Sequence, residues 1–397
     1  MRHPTVYLDN HATTRVDPRV VEAMLPFFTE QYGNAGSTSH AYGWQARDAV
    51  EQARSSIAKS IGADPKEIVF TSGATESNNL ALRGLAERRR QAGGHIVSAK
   101  TEHKAVLDPL KRLARRGYEI RWVPVRMQGD PQAGWIDPDD VARAIRDDTV
   151  LVTIMLANNE IGVIQSIGEI GRVCRERGVC LHTDATQAVG KIPVDVETLQ
   201  VDLLSFSAHK MYGPKGVGAL YVKRRVRLTP QIEGGGQERG LRSGTLNVPG
   251  IVGMSRALEL CDEEMESESV RLKRLRDALF EGLCQSITGV TLNGPSLDRP
   301  SLRLPHNLNC SFEWVDGEAL MMSMRELAVS SGSACTSANP EPSHVLAAIG
   351  VPPDRTRASL RFGLGRFNTD KEIAFAVERI AEAVERLRRM SSAAGGR

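Results

Sequence analysis

The chain alternates short apolar runs with longer amphipathic stretches, and this alternation limits the possible folds more than any other feature. Apolar or β-branched runs of strand length lie at 67–71, 95–99, 150–156, 179–183 and 203–206. Stretches with helical periodicity lie between them, at 76–90, 104–116 and 167–177. Strands that alternate with helices pair in parallel, because each crossover helix returns the chain to the same edge of the sheet. The sequence therefore predicts an α/β fold with a mostly parallel sheet.

The length of the chain favours two domains. A chain of 397 residues with 41% hydrophobic residues is too long for one small domain and can fill two sizeable cores. An acidic stretch with helical character, 258–268, leads out of the strand-rich part, so we expect a large domain that ends near residue 262 and a smaller α/β domain over 263–390. The last residues, 391–397, predict a disordered tail.

Charge and cysteine content restrict the class of protein. The 51 basic and 48 acidic residues give a net charge of +3, which is too balanced for a nucleic-acid surface. Neither the N-terminus nor any other window has the apolar length of a signal peptide or a membrane span. The 6 cysteines are irregularly spaced without a CxxC pair, which favours reduced thiols over disulfides or a metal site. We expect a cytoplasmic protein that binds neither nucleic acid, membrane nor metal.

The segment SFSAHKMYGPKGVGAL, 205–220, places one lysine between a strand-like run and a glycine-rich turn. A lysine amine held in a fixed position forms a Schiff base with a carbonyl compound, and enzymes that use pyridoxal 5′-phosphate (PLP) need one such residue. Ser207 and His209 precede the lysine and can donate hydrogen bonds to a phosphate, while the glycines let backbone pass close to a ligand. Lys210 is therefore the candidate PLP lysine. The alternative is a surface lysine on a tight loop.

A second candidate site lies in the segment SSGSACTS, 330–337, where small residues surround Cys335. Small residues bury a cysteine poorly and form no stiff helix, so the segment predicts a flexible loop that presents its thiol. The other cysteines lie in apolar or helical contexts, which are typical of buried thiols. Cys335 is therefore the candidate nucleophile, one that must reach a bound substrate and then carry a group away. The alternative is a small buried residue.

Polar side chains follow the ends of predicted strands. Asn159, Asp184 and Lys210 each come just after such a run. In open α/β sheets, ligands bind beyond the carboxyl ends of the strands, so these residues should converge. Asp184 can keep a pyridinium nitrogen protonated, which makes the ring an electron sink. The alternative for Asp184 is an ordinary loop aspartate.

A phosphate site is predicted where the first of these helices begins. Ala74 and Thr75 follow Ser72 and Gly73 directly after the strand-like run 67–71. Backbone N–H groups and the dipole at a helix N-terminus favour an anion without a lysine or arginine. The alternative is a simple helix cap by Ser72 or Thr75.

These segments resemble the cysteine desulfurases of the bacterial iron–sulfur assembly type, within the class V aminotransferase group of PLP enzymes. The resemblance covers nearly the whole chain, and its motifs occur in family order. They are YLDNHATT at Tyr7, FTSGATESNNLA at Phe70, TEHKAVLD at Thr101, NNEIGVIQ at Asn158, HTDATQAVGK at His182, the lysine segment, GGGQERGLRSGT at Gly234, SSGSACTS at Ser330 and RFGLGRF at Arg361.

The resemblance implies a fold. It implies the PLP-dependent transferase fold type I, with a mostly parallel sheet of the seven-stranded type in the large domain. It also implies that the first fifteen residues join the smaller domain. We therefore expect a large PLP-binding domain over 16–262 and a small domain formed by 1–15 with 263–390, which carries the cysteine loop.

The resemblance also implies roles for further residues. His103 would stack on the cofactor ring and transfer protons, Gln187 would contact the ring oxygen, and Asn159 would lie beside the ring and the substrate. Thr245 would reach the phosphate bound by the neighbouring subunit, and Arg361 would pair with the substrate carboxylate, which a planar guanidinium binds through two hydrogen bonds. The alternatives are a structural salt bridge for Arg361 and an unpartnered surface loop for Thr245.

The implied reaction converts L-cysteine to L-alanine. Lys210 would move the α-proton, and the Cys335 thiolate would attack the substrate sulfur and keep it as a persulfide. The implied partners are a second copy of the chain, in a homodimer, and sulfur acceptors: an iron–sulfur scaffold protein or a tRNA-thiolation relay protein.

Two other functions compete with this one. The first is a different PLP enzyme of the same fold, an aminotransferase or a selenocysteine lyase. An aminotransferase needs no cysteine in a flexible loop, and the related branch with a shorter loop typically has a His-His-Cys run where this chain has Ser333, Ala334 and Cys335. The second is a binding scaffold without PLP, which the presence of Lys210 and Asp184 disfavours.

Overall fold

The computed structural model describes residues 5–89, 94–331 and 342–394. The strands in this part of the chain are β1 (Val6–Tyr7), β2 (Ile68–Thr71), β3 (Gly94–Ala99), β4 (Tyr118–Val123), β5 (Thr149–Thr153), β6 (Cys180–Asp184), β7 (Leu203–Ser207), β8 (Gly218–Val222), β9 (Val290–Leu292), β10 (Asn307–Phe312), β11 (Leu327–Ala328) and β12 (Ser359–Gly363). Cys335 lies outside the described residues.

The helices are α1 (Pro18–Met24), α2 (Pro26–Thr29), α3 (Ala41–Ser60), α4 (Ala74–Arg89), α5 (Lys104–Ala114), α6 (Pro138–Ala144), α7 (Ile167–Arg177), α8 (Val196–Leu199), α9 (Val248–Ser286), α10 (Gly317–Ser323), α11 (His344–Ala348), α12 (Pro353–Arg357) and α13 (Asp370–Ala394). Short 3₁₀ turns lie at Pro65–Glu67, Ala208–Lys210, Glu238–Gly240 and Pro300–Leu302.

A seven-stranded sheet in the order β2-β8-β7-β6-β5-β3-β4 forms the centre of the larger part. The pairs from β7 through β6, β5 and β3 to β4 are parallel, and only β8 runs antiparallel to both of its neighbours. Strands β2, β5, β6, β7 and β8 are buried along their whole length, as expected when helices cover both faces. The mostly parallel α/β sheet predicted from the sequence is confirmed.

Successive residues of a strand point to opposite faces of this sheet, and each face has its own core. Val69 packs with α4 and α5 on one face, and the adjacent Phe70 packs with α3 on the other. Val97 and Val152 join Phe70 in what we term the first core, together with α7 and the first half of α9. Burial of both faces explains why the strands read as continuous apolar runs.

The predicted elements occur with small shifts at their ends. The helix predicted at 76–90 starts two residues earlier, at Ala74, which brings its N-terminus to the residues assigned to a phosphate site. The helix predicted at 167–177 has the predicted bounds. The strand predicted at 150–156 ends at Thr153, and the chain continues as irregular backbone toward Asn159.

A second core lies around two smaller sheets. Strands β9, β10 and β12 form an antiparallel sheet in the order β12-β10-β9, and β1 pairs in parallel with β11. The long helix α9 connects the two cores, because its residues up to Cys261 belong to the first core and those from Leu272 to Leu283 to the second.

Helix α13 packs on this second core and continues to Ala394. The first residues of the segment predicted as a disordered tail therefore have helical backbone. The chain contains no glycine or proline between 370 and 394, so nothing in the sequence stops the helix there.

Candidate active site

A cavity of about 510 Å³ opens at the carboxyl ends of the parallel strands. All but two of the site residues predicted from the sequence line this cavity. Those that line it are Ala74, Thr75, His103, Asn159, Asp184, Gln187, Ser207, His209, Lys210 and Arg361. Thr245 is exposed and does not line the cavity of its own chain. The other exception is Cys335, which lies outside the described residues.

Lys210 is held by backbone carbonyl groups. It ends the 3₁₀ turn that follows β7, and its side chain is half-buried. The Nζ atom donates to the carbonyl oxygen of His11 at 2.5 Å and to that of Ala12 at 2.6 Å. The amine therefore has a defined position on the cavity wall.

Asp184 is the last residue of β6 and is 4% exposed. Its Oδ2 atom accepts a hydrogen bond from Asn78 Nδ2 at 2.7 Å, and its Oδ1 atom accepts one from the backbone N–H of Thr186 at 3.0 Å. Asn78 lies on α4, the helix whose N-terminus forms another side of the cavity. These two donors fix the plane of the carboxylate.

The N-terminus of α4 lies at the cavity wall, where the sequence predicts an anion site. The first N–H groups of a helix have no partner within the helix, and here the residues that carry them, Ala74 and Thr75, line the cavity. Gly73 precedes them with a φ of +151°, which residues with a side chain rarely adopt. The carboxylate of Glu76 in the same turn is paired with Arg242 at 2.9 Å, so its charge is compensated.

Ser207 and His209 also line the cavity, and Ser207 lies beside this helix end. A Cβ atom on Gly73 would lie 3.7 Å from Ser207 Oγ, so the two segments are in contact range. His209 Nδ1 lies 3.1 Å from Thr13 Oγ1. Burial, together with Lys210 and Lys215, lowers the pKa of His209 to about 4. The imidazole is therefore neutral near pH 7 and can serve as a hydrogen-bond donor through one ring nitrogen.

His103 caps helix α5. Its Nδ1 atom accepts a hydrogen bond from the backbone N–H of Ala105 at 3.1 Å. Burial lowers the pKa of His103, so the ring is neutral. A neutral imidazole that accepts at Nδ1 carries its proton on Nε2, and the cap thus fixes which nitrogen can donate.

Arg361, on β12, extends from the smaller sheet into the cavity and is 4% exposed. Its Nη2 atom pairs with Asp9 Oδ1 at 2.9 Å, and its Nη1 atom donates to the carbonyl oxygen of Asn159 at 3.1 Å. The salt bridge considered as an alternative role is thus present. The buried Nε atom, however, has no hydrogen-bond partner among the described residues, so the guanidinium keeps a donor for a ligand.

The N-terminal segment 9–14 contains no site residue predicted from the sequence, yet its residues 11–13 form part of the wall. Asp9 pairs with Arg361, and the side chain of Thr13 contacts His209. His11 contacts Lys210 through its carbonyl oxygen and Gln187 through its ring. The only available signal was the motif YLDNHATT, since a segment of irregular backbone has no periodicity that shows what it touches.

Two buried carboxyl groups beside the site were also missed. Glu102 precedes His103, is fully buried, and accepts a hydrogen bond from the backbone N–H of Met155 at 2.7 Å. Burial raises the pKa of Glu102 well above its usual range. Glu160 follows Asn159, accepts a hydrogen bond from Ser343, and has a pKa raised to about 7 by burial.

Comparison with known proteins places this site in a family. Residues 6–375 match the class-V aminotransferase family. The cysteine desulfurase IscS of Anaeromyxobacter dehalogenans is 57% identical over 388 residues, which cover 97% of this chain and 94% of the relative. A solved NifS-like protein superposes with a TM-score of 0.88 at 40% identity, covering 96% of this chain and 100% of that one. A solved structure of SspA in complex with cysteine gives a TM-score of 0.78 at 36% identity, covering 92% and 100%.

The chain belongs to the class-V aminotransferase family and, within it, to the cysteine desulfurases. The resemblance drawn from the sequence motifs is confirmed, and with it the PLP-dependent fold and the assignment as a PLP-dependent enzyme. Among the helices that the structure describes, none has both the length and the apolar character needed to cross a lipid bilayer.

The cavity fits PLP in its donors and acceptors. Three buried polar atoms of residues on its wall have no hydrogen-bond partner within the described part of the chain: Asn78 Oδ1, Thr186 Oγ1 and Arg361 Nε. A buried polar atom without a partner costs roughly 1–3 kcal/mol, so a polar ligand there offsets a real penalty. A helix N-terminus, a buried carboxylate and a lysine amine on one wall match a phosphate, a pyridine nitrogen and an aldehyde.

Proposed function

We propose that this enzyme removes the sulfur of L-cysteine, leaving L-alanine, and holds it as a persulfide on Cys335 before transfer to an acceptor. The observation that carries the proposal is the convergence of Lys210, Asp184 and Arg361 on one cavity. Lys210 ends the turn after β7, Asp184 ends β6, and Arg361 lies on β12 of the smaller sheet. They provide an amine, a carboxylate and a group that can bind the substrate carboxylate. Two similar proteins support cysteine as the substrate: one is named a cysteine desulfurase, and another was solved with cysteine.

Residues that line the cavity would hold the cofactor. Its phosphate would bind at the N-terminus of α4, formed by Ala74 and Thr75, with Ser207 and His209 as further donors. Asp184 would keep the proton on the ring nitrogen, and Gln187 would contact the ring oxygen. His103 would lie against the ring. PLP, when bound, supplies an electron sink for the carbon next to the substrate carboxylate.

The protein's own groups then carry out the proton chemistry. Arg361 orients the substrate through its carboxylate, and the backbone of Asn159 holds the guanidinium in place. Lys210 Nζ takes the α-proton and returns a proton to carbon, which a flexible amine can do without a second base. His103 also lines the cavity, and with its proton on Nε2 it would serve as a further proton donor.

The sulfur step needs a thiolate. The Cys335 thiolate attacks the substrate sulfur, a sulfur–sulfur bond forms, and the carbon–sulfur bond breaks. The electron pair of the broken bond remains with the carbon skeleton, which takes up protons and leaves as L-alanine. The substrate carbon is reduced while the sulfur is oxidised to the persulfide level, so no outside oxidant or reductant enters.

Replacement of Cys335 tests the proposal. Cys335→Ser should abolish sulfide and alanine production from L-cysteine, while the visible absorbance of the cofactor and its change on adding cysteine remain. Cys284→Ser is the control, because Cys284 is exposed but lies on α9, away from the cavity. Near-normal alanine production by Cys335→Ser would contradict the persulfide mechanism and favour an aminotransferase. A purified protein that stays colourless with added PLP would instead support a non-catalytic scaffold.

A homodimer with shared sites is part of the proposal. Thr245 is exposed and outside its own cavity, in a loop preceded by Gly234, Gly235 and Gly236. Several large apolar side chains near the N-terminus are also exposed, which suits a protein interface. They are Leu25, Phe28, Tyr32, Tyr42 and Trp44, with exposed fractions of 58%, 58%, 64%, 48% and 51%.

Mixing two inactive variants tests the shared site. If Thr245 completes the partner's phosphate site, heterodimers of Lys210→Ala and Thr245→Ala chains contain one site with both lesions and one with neither. Activity should therefore recover in part on mixing. A holoenzyme that sediments as a monomer with full cofactor occupancy would contradict the dimer.

The remaining parts of the proposal concern acceptors, domains and location. We expect the persulfide to pass to an iron–sulfur scaffold protein, with a tRNA-thiolation relay protein as a second acceptor class, and the enzyme to work in the cytoplasm. Transfer of labelled sulfur from cysteine to each purified acceptor distinguishes them. The division into 16–262 and 1–15 with 263–390 is supported by α9, which changes from the first core to the second after Cys261.

A further inference from the structure

The amide of Gln187 lies at the end of a chain of buried hydrogen bonds. Gln187 lines the cavity and is 6% exposed. Its Oε1 atom lies 3.0 Å from His11 Nδ1, and its Nε2 atom donates to the carbonyl oxygen of His11 at 3.1 Å. His11 thus contacts both ends of the Gln187 amide: its carbonyl accepts from the NH₂ group, and its ring faces the oxygen. His11 is 1% exposed and cannot exchange these partners for water.

The series of hydrogen bonds continues from His11, away from the cavity, to an arginine. His11 Nε2 lies 3.1 Å from Asn307 Nδ2, and Asn307 Oδ1 accepts a hydrogen bond from Arg303 Nη1 at 3.0 Å. Arg303 and Asn307 are both buried. A guanidinium only donates, so it requires an acceptor on the Asn307 amide and turns the NH₂ group of that amide toward His11.

The direction of every bond follows from that donor. His11 Nε2 must accept from the Asn307 NH₂ group, so the neutral imidazole carries its proton on Nδ1. Nδ1–H then donates, and the Gln187 atom that faces it must be the oxygen. The NH₂ group of Gln187 is left with two hydrogens, one of which goes to the His11 carbonyl. The second is free to serve a ligand in the cavity.

The surroundings keep His11 neutral. Burial and the positive charges of Arg361, Lys210 and Lys191 lower the pKa of His11 to about 3. Its ring stacks on that of His306 with centroids 4.7 Å apart. His306 Nδ1 is buried and has no hydrogen-bond partner among the described residues, so this nitrogen adds no hydrogen bond to the network.

We propose that His11 is a positioning residue that fixes Gln187 as a hydrogen-bond donor toward the cavity, through the relay from Arg303 and Asn307. The proposal rests on the proposed function, in which the oxygen on the cofactor ring faces Gln187. Without the proton on His11 Nδ1, only the hydrogen bond to the His11 carbonyl opposes a half-turn of the Gln187 amide, which would present the amide oxygen to the cavity instead. An acceptor there would oppose a negatively charged ring oxygen, whereas a donor stabilises it.

The visible absorbance of the holoenzyme reports this contact. With PLP held by Lys210, the band would titrate with the proton that the Lys210 nitrogen and the ring oxygen can both hold. A donor to that oxygen stabilises its negative charge most after the proton has left, so loss of the donor should raise the apparent pKa of the band. We expect a rise of about one pH unit, the effect of one hydrogen bond to a charged group.

The experiment compares variants of the holoenzyme by pH titration of this band, with the thermal midpoint as a check of folding. His11→Phe removes the donor and keeps a ring; His11→Leu takes its place if that ring does not fit. His11→Asn keeps an N–H at the same distance from the backbone as Nδ1 and should restore the titration to within about 0.3 pH units. His306→Phe, an equally buried change beside it, should leave the titration unchanged.

Combination with Gln187→Ala makes the inference specific. If His11 acts through Gln187, adding His11→Phe to Gln187→Ala should produce no further shift. Additive shifts, or an unchanged titration in His11→Phe, would overturn the inference. A wild-type protein that shows no visible band with PLP would contradict the proposed function itself, so the two failures are distinguishable.

Discussion

Two parts of the cavity wall are built in different ways. The strand-end wall consists of His103, Asn159, Asp184, Ser207 and Lys210, which lie at or just after the carboxyl ends of strands in the large sheet. The N-terminal segment, 9–14, is irregular backbone that crosses from the smaller sheets to the cavity. The strand-end wall supplies the reactive groups, and the N-terminal segment holds several of them through hydrogen bonds.

This difference shows that one part of the molecule places the functional side chains in the cavity and another part orients them. A parallel sheet brings the ends of its strands to one edge, so it places side chains within one cavity whatever their rotamers. Orientation needs further contacts: the carbonyls of His11 and Ala12 for Lys210, and Asp9 for Arg361. We therefore expect changes in the strand-end wall to reduce turnover, and changes in the N-terminal segment to reduce order and stability first.

The largest effect should come from Lys210→Ala. Loss of the amine that moves the α-proton should lower alanine formation at least about a thousandfold, measured with saturating cysteine and PLP. Lys223→Ala is the matched control, because Lys223 follows the antiparallel strand β8 and therefore lies at the opposite edge of the sheet. Activity of Lys210→Ala within tenfold of wild type would show that another base moves the proton.

Asp184→Asn should produce the second largest loss of turnover. The amide keeps the shape and an acceptor for Asn78 but loses the charge, so turnover should fall by about a hundred- to a thousandfold with little change in the thermal midpoint of the cofactor-free protein. Asp202→Asn provides the contrast: Asp202 is equally buried, lies before β7 at the other edge of the sheet, and pairs with Arg225. It should lower the thermal midpoint and leave turnover per folded molecule unchanged. The reverse pattern would make Asp184 structural.

Asp9→Ala tests the N-terminal segment. It removes the carboxylate that pairs with the buried Arg361, and the unpaired guanidinium should cost about 2 to 3 kcal/mol of unfolding free energy. Asp354→Ala removes an exposed partner of Arg357, whose side chain is 57% exposed, and should cost less than about 0.5 kcal/mol. Denaturant unfolding of the two variants and wild type measures both. Equal losses of unfolding free energy in the two variants would show that burial of Arg361 does not increase the contribution of its ion pair with Asp9.

The smallest effect concerns pH. Burial raises the pKa of the Glu160 carboxyl from 4.5 to about 7. Glu160 therefore keeps its proton up to about pH 7 in the folded protein, whereas in the unfolded chain it loses the proton near pH 4.5. The contribution of Glu160 to stability therefore falls as pH rises, by about 1.4 kcal/mol between pH 6 and pH 8 for a folded pKa of about 7.

Glu160→Gln should remove that part of the pH dependence, which thermal midpoints from pH 6 to pH 8 would show. Glu169→Gln makes the same change at an exposed position on α7 and should follow wild type at every pH. A slope that is the same in Glu160→Gln and wild type would mean that Glu160 does not titrate in this range.

Much of the strand-end wall could be predicted because its rule is local. The length of a strand, its apolar character and the polar residue that follows it can all be recognised from neighbouring positions. The prediction of Asp184 and Lys210 as site residues rests on such local features. The contact between Asp9 and Arg361 joins residues 352 positions apart, and the contact between His11 and Gln187 joins residues 176 apart. No local pattern connects such residues, so the N-terminal segment was identified as a motif without a role.

The sequence by itself determined the alternation of strands and helices, the parallel sheet, the edge at which the site forms and the family, because periodicity and motif order are properties of neighbouring residues. Only the tertiary structure decided the protonation states and orientations at the site. Burial makes His11 neutral and raises the pKa of Glu160, and Arg303 sets the direction of the hydrogen bonds that end at Gln187. The physical reason is that desolvation and hydrogen-bond polarity depend on every neighbour in space, whatever its position in the chain.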